Sequence, residues 1–337
     1  MIILKEVLAI QTYSGEEWRM FAYIVRQCKR LGAHIRQDAV GNLYVTKGKS
    51  NTYPCVVAHM DSVHKIGEDL TVISNGKMLT GFNFRTMKQT GIGGDDKVGI
   101  YIALRCLETF SAIKLSFFVN EEHGCIGSSQ ADMTFFDDCR FVLQADRRGN
   151  SDFVTNASGV DLSSKKFKKA VNPLLGVHGY KGSDGMMTDV MQLKENGLKV
   201  ACANVGCGYH RPHAADEYVV VSEVENTFSL FKCIISTLVD AYPHTYQRPS
   251  YYKNYKNEGN QWTPKNYQRF WDEMDYDTDN YWRKRDRERI KYGSGISSTL
   301  SPIHYCDGCC EQATNDELTY CSDYNAFLCN RCAKVLS

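Results

Sequence analysis

Three short, largely apolar runs each end on residues that can hold a metal or move a proton. Residues 54–58 deliver His59, residues 114–119 lead through Asn120 into Glu121-Glu122, and residues 141–145 end at Asp146. Runs of this length fit strands buried on both faces of a sheet. A strand points neighbouring side chains to opposite faces, so adjacent acids sit poorly within one. At a strand end, where the chain bends into a loop containing Gly124, both can turn toward one cleft. One acid could then bind a metal while the other moves a proton.

The segments between these runs read as helices and turns. Ser14 and Glu17 have the spacing of a capping box opening a helix that Gly32 stops. Residues 33–37 and 43–46 alternate like a hairpin around Gly41-Asn42. A helix-like segment follows Asp95-Asp96-Lys97 to about residue 109. Residues 184–196 read as a helix closed by Gly197, 199–205 as a strand, and 222–241 as a helix with a second capping box, Ser222 and Glu225. Strands alternating with helices predict an α/β fold, a three-layer core with a central mixed sheet between helices. Ligands of such sheets sit beyond the carboxyl ends of the strands, where His59, Glu121-Glu122 and Asp146 all fall.

Composition sets the setting. The chain has 337 residues and a formal net charge of +1, so no global field draws it to nucleic acid or a membrane surface. No apolar run approaches the roughly 18 residues that span a bilayer, and the start lacks a signal peptide's apolar core. Eight cysteines are scattered from Cys28 to Cys233 and read as buried free thiols, which predicts a reducing cytoplasm. After a core spanning 1–242, residues 243–300 turn rich in Tyr, Asn and charge and read as a linker. Residues 301–337 hold the other six cysteines. Cys306-x-x-Cys309 and Cys329-x-x-Cys332, with 19 residues between the pairs, predict a closed tetrahedral zinc site. Cys310 and Cys321 are alternative members. The module's partner, protein or nucleic acid, is not readable from these residues.

A dinuclear hydrolytic site needs His nitrogen and carboxylate oxygen ligands, one carboxylate placed between the ions, and a separate general base. The chain offers, in order, Ala58-His59-Met60-Asp61, Gly93-Gly94-Asp95-Asp96-Lys97, Asn120-Glu121-Glu122-His123-Gly124, Asp146, Gly182-Ser183-Asp184-Gly185 and His213-Ala214-Ala215-Asp216-Glu217. These motifs resemble the peptidase T, carboxypeptidase G and aminoacylase superfamily of dinuclear zinc hydrolases, the peptidase T-like members most of all, over roughly residues 1–240.

The resemblance implies that His59 and Asp146 bind one zinc, Glu122 and His213 the other, and that Asp95 bridges them. It implies Glu121 as the general base of a metal-bridged hydroxide and Asp61 as the group that orients His59. Three ligand carboxylates against two divalent ions leave one positive charge, which a hydroxide neutralises. Manganese or cobalt could replace zinc. His210 competes with His213, and Asp152 with Asp146. Asp184 is either a turn residue or part of the substrate region, and Arg85 and Arg211 are candidate clamps for a peptide carboxylate. Family members often insert a lid between the Asp146-like ligand and the Gly-Ser-Asp-Gly turn. Here that interval, 147–181, is 35 residues, too short for a lid of about 100 residues.

The implied activity is hydrolysis of small peptides, by an aminopeptidase or a di- or tripeptidase. An amidohydrolase acting on N-acyl amino acids would use the same residues. A weak hydrolase core serving as scaffold for the zinc module is the third reading.

Overall fold

The computed structural model describes residues 2–67 and 70–246, and the backbone of four short strands between 304 and 329. Helices α1 (Leu4–Ala9) and α2 (Trp18–Arg30) precede the hairpin of β1 (His34–Gln37) and β2 (Leu43–Lys47). Next come β3 (Tyr53–His59), β4 (Leu70–Ser74), β5 (Met78–Asn83), β6 (Lys88–Thr90) and α3 (Gly94–Thr109). β7 (Ile113–Phe118), the one-turn α4 (Ile126–Ser129), β8 (Cys139–Arg147), β9 (Asp152–Ala157), β10 (Val160–Asp161) and α5 (Lys165–His178) follow. The rest of the core is β11 (Lys181–Gly185), α6 (Asp189–Glu195), β12 (Cys202–Gly206), β13 (Tyr209–His210), β14 (Tyr218–Val220) and α7 (Val221–Thr237). Near the carboxyl end, β15 (His304–Tyr305) pairs with β16 (Gln312–Ala313), and β17 (Leu318–Cys321) with β18 (Ala326–Cys329).

The main sheet runs β1-β2-β7-β3-β8-β12-β9-β10, with β11 beside β9. Its middle, β7-β3-β8-β12, is parallel, and its flanks add antiparallel pairs, so the sheet is mixed as the sequence predicts. All seven residues of β3 and all six of β7 are buried. Alternation along the strands feeds two core layers. Val56, Ala58, Phe141 and Leu143 face the side packed by α1, α2, α3, α5 and α7. Cys55, Val57 and Val142 face the opposite side, packed by α6. This is the α/β three-layer arrangement.

Strand order places the cleft. β3 lies between β7 and β8, so the chain leaves β3 on one side and returns on the other, and a crevice opens where the connections diverge. A second sheet, β13-β14-β5-β4 with β6 on β5, carries the connection from His59 to Asp95. The interval after Asp146 holds β9, β10 and α5, all built into the core layers. Backbone bonds from Ala201 to Tyr242 and from His244 to Lys199 keep the chain on the core past the end of α7.

Several local expectations are overturned. Neither capping box forms. Helix α2 starts at Trp18 and Ser14 donates to Asp61 instead; α7 begins at Val221, and Glu225 accepts from Tyr101 2.8 Å away. The helix expected over 184–196 is shorter, because 181–185 pairs with β9 as β11, and α6 starts at Asp189. Asp184 is exposed on that strand. Helix α5, unforeseen, is capped by Ser164, whose hydroxyl accepts from Phe167 N at 3.2 Å.

A neutral polar cluster ties α5, α7 and β12 together. The Tyr180 hydroxyl donates to Gly206 O at 2.8 Å and pairs with Thr227. Asn150 donates to Tyr180, Thr227 and Glu223 O, and accepts from Asn226 at 2.8 Å.

Candidate metal centre

Each candidate side chain reaches the cleft because of where its element ends. His59 closes β3, Glu121 and Glu122 follow β7, and Asp146 stands near the end of β8. Asp95 opens α3 just after Gly93, whose φ of 65° turns the chain. The Asp95–Asp96 peptide is cis. His213 comes from the loop between β13 and β14.

The distances bring these groups to one place. His59 Nε2 lies 3.2 Å from Asp95 Oδ1 and 3.8 Å from both Glu121 Oε2 and Asp146 Oδ1. His213 Nε2 lies 3.1 Å from Glu122 Oε2 and 3.4 Å from Asp95 Oδ2. Asp95 therefore turns one oxygen to each imidazole. His210 is elsewhere, stacked on Tyr218 and 2.7 Å from Glu223. Asp152 pairs with Arg147, and Arg211 with Asp216. Arg85 lies exposed in the β5–β6 loop.

Behind the ring of His59, Asp61 is fully buried. Its Oδ1 is 3.3 Å from His59 Nδ1 and accepts from Glu121 N at 2.9 Å; its Oδ2 accepts from Ser14 Oγ at 2.7 Å and Glu122 N at 3.2 Å. The loop carrying the two glutamates is tied at its neck. Gly127 N donates to Val119 O, while Asn42 donates to Gly127 O and accepts from Val119 N. A Cβ on Gly127 would stand 2.4 Å from Val119 O, so only glycine fits.

Three buried acids received no role from the sequence, two of them, Asp96 and Glu217, within the quoted motifs. Asp96, buried, accepts from His59 N and Gly99 N and groups with His59 and Asp146 as a second possible ligand set. Asp189 is buried with Oδ1 unpartnered, its other oxygen held by Gln144, which also donates to Asp146. Glu217, fully buried, holds the turn before α3 through Gly93 N and Asp95 N and pairs with His64. Nothing local in the sequence marks Asp189. Glu217 stands four residues after His213, and its partners lie 124 and 122 residues away.

Electrostatics fit a cation. Asp61, Asp95, Asp96, Glu121, Glu122, Asp146 and Asp189 bring seven carboxyls together around His59, and the ion pairs among these groups come from His59 and His213. Burial pushes Glu122 up to about 7, against the hydrogen bond from His213, and pushes Asp146 up to about 6. Glu121 is pushed well above the usual carboxylate range by burial, with Asp189, Asp146 and Glu122 adding to it and His59 opposing. Partial burial disfavours charge on His213, but Asp95 and Glu122 outweigh it and hold the imidazole far above its usual range. Glu122 Oε1 is buried with no hydrogen-bond partner. Such an atom is costly unless something outside the protein completes it. Nitrogen and oxygen donors around an orphaned carboxylate oxygen suit zinc or a similar divalent ion.

The cysteine expectations divide. The eight from Cys28 to Cys233 are free thiols, seven of them buried. Cys306, Cys309, Cys310 and Cys332 lie outside the described residues; Cys321 and Cys329 end β17 and β18, whose backbone alone is described. Among the described residues no helix is long and apolar enough to cross a membrane.

No family model and no curated protein matches this sequence. Solved structures do match. The aminopeptidase PepT of Bacillus cereus superimposes with a TM-score of 0.57 at 14% identity, over 69% of this chain and 96% of that one. A tripeptidase of Staphylococcus aureus gives 0.56 at 14%, over 69% and 95%. An aminopeptidase of the archaeon Desulfurococcus kamchatkensis gives 0.57 at 14%, over 71% and 94%. At such identities the likeness is one of fold.

Proposed function

We propose that this chain is a dinuclear metal-dependent peptidase acting on small peptides, as an aminopeptidase or a di- or tripeptidase. The observation that carries the reading is the meeting of His59, Asp95, Glu122, Asp146 and His213 around a buried carboxylate oxygen that has no partner. His59 and Asp146 would hold one ion, Glu122 and His213 the other, with Asp95 between. Zinc suits the donors, and manganese or cobalt are alternatives. Bound divalent ions supply Lewis acidity to a scissile carbonyl and acidify water. Peptidase names among the fold neighbours support the substrate class.

The chain's own groups divide the remaining work. Glu121 is the proton carrier. Its carboxyl faces the His59 edge of the site, and its raised affinity for a proton suits a group that must take one from water and return it to a leaving amine. Asp61 keeps the imidazole of His59 turned toward the cleft and anchors the backbone of both glutamates. Buried free thiols support a reducing, cytoplasmic setting. For the C-terminal module the proposal is one structural zinc on Cys306, Cys309, Cys329 and Cys332.

The test is a metal count combined with hydrolysis of aminoacyl-coumarin, di- and tripeptide and N-acyl amino acid panels. Three ions per chain with cleavage of free-amine peptides is the expected result. Cleavage confined to N-acyl amino acids would replace the peptidase by an amidohydrolase. Bound metal with no hydrolysis would leave the core as a scaffold.

A further inference from the structure

The turn that the sequence presents as a helix cap is built into the floor of the cleft. Tyr13 O accepts from Glu16 N at 2.7 Å, closing a tight turn whose Gly15 has a φ of 83°, a conformation that favours glycine. The turn aims two side chains inward, Ser14 at 5% exposure and Glu17 at 8%. Ser14 Oγ donates to Asp61 Oδ2 at 2.7 Å. Glu17 Oε1 accepts from Gly15 N at 3.0 Å and from Asn120 N at 3.1 Å.

The peptides these two residues reach are consecutive. Glu17 holds the N–H of Asn120, and Asp61, fixed by Ser14, holds those of Glu121 and Glu122. Asn120 has a φ of 51°, an uncommon value for a residue with a side chain, so this stretch needs outside support. Thr12 completes the attachment, donating to Met60 O at 2.7 Å while its own carbonyl accepts from Ser62 at 2.8 Å. One segment therefore grips both the His59-x-Asp61 arm and the glutamate arm, 103 residues away from Glu17 in the chain.

We propose that Ser14 and Glu17 are positioning residues for the metal centre, setting the mutual placement of His59, Glu121 and Glu122. The inference rests on the metal-dependent reading of the site. Ser14 acts through Asp61, and Glu17 through the Asn120 amide; neither touches substrate. Asp61 meets His59 Nδ1 through its backbone carbonyl at 3.1 Å and its Oδ1 at 3.3 Å, its carboxylate also holds two backbone amides, and Ser14 fills the remaining acceptor position.

The test uses the full chain with S14A, S14T, E17A and E17Q. Amide hydrogen exchange at residues 120–122 of the metal-free protein reads the brace directly. Competition against a chelator reads metal affinity, and steady-state kinetics separate kcat from KM. S14A and E17A are expected to speed exchange at those amides, weaken metal binding by about 10–100-fold and lower kcat with KM nearly unchanged. S14T keeps the hydroxyl and E17Q an acceptor oxygen, so both are expected to match the parent. If S14A and E17A lower only the melting temperature, with exchange at 120–122 and metal affinity unmoved, the proposal is overturned. Should the alanine variants not fold, weakened metal binding in S14T and E17Q overturns it equally, and parental values support it. A parent chain that binds metal but hydrolyses nothing sinks the peptidase reading and leaves the exchange result standing.

Discussion

Tyr180 and Thr227 are buried as deeply as His59, yet the two places differ in what surrounds the polar atoms. Around Tyr180 the partners are amides, hydroxyls and backbone groups with the one imidazole of His178, and each side-chain polar atom of Asn150, Tyr180, Asn226 and Thr227 has a partner. That cluster joins α5, α7 and β12 and asks nothing further of its environment. Around His59 seven carboxyls crowd together, and Glu122 and Asp189 each keep an oxygen with no partner. Burial alone therefore does not mark a site. A surplus of one charge sign together with an unfilled acceptor does, because such a cluster is stable only when something else arrives.

The largest effect belongs to Glu121. E121Q should lower kcat by about 10²–10⁴-fold while metal content holds, since the change removes proton transfer and no ligand. Full turnover in a metal-loaded E121Q protein would remove Glu121 from its role. Next is the metal itself. H213A and E122A should each lose an ion by elemental analysis, whereas H210A should not. Chelation should lower the melting temperature of the parent, since an ion present at 100 times its Kd contributes about 2.7 kcal/mol.

The metal-free protein should respond to pH. Burial raises Glu122 to about 7 and Asp146 to about 6, so between pH 5 and 7 the folded chain holds more protons than the unfolded one. Its stability should fall as pH rises through that window. His213, held above its usual range, acts in the same direction at higher pH. Denaturation midpoints across pH 5–8 check the sign, and a metal-free protein that gains stability with rising pH would contradict it. The smallest effect is at the neutral cluster. T227V should cost about 1–3 kcal/mol, read from denaturant midpoints, with metal content unchanged. Loss of metal in T227V would show that the two clusters are not independent.

What the sequence made legible follows the range of the forces involved. Residues 54–58, 114–119 and 141–145 announce strands by their unbroken apolar character, and their ends locate the cleft. The family resemblance put His213 ahead of His210, since its pattern has an Asp-Glu pair three and four residues on, as Asp216-Glu217 stand here, and the structure places His213 beside Glu122. Local rules failed where a distant partner outbid the near one. Ser14 and Glu17 satisfy the spacing of a capping box, but a buried Asp61 and the Asn120 amide claim their side chains. Ser222 and Glu225 fail the same way, with Glu225 claimed by Tyr101 and Arg105. The second sheet left little signal because β4, β5 and β6 are short and half exposed, so their side chains carry no strong alternation. Asp189 has no motif at all; its part in the cleft comes from Gln144 and the packing of α6.

The neck of the glutamate loop bears on how tolerance to change would be distributed. Asn42 and Gly127 bond to the backbone at the base of the loop, alongside the bond from Ile126 N to Asn120 O, and Gly127 has Val119 O and Asn42 Oδ1 within 2.5 Å of where a methyl would go. A saturation scan scored by growth or turnover would rank both positions as intolerant as the acids they support. Such a map would mark the base of the loop as strongly as its tip, because the placement of Glu121 and Glu122 depends on backbone bonds several residues away.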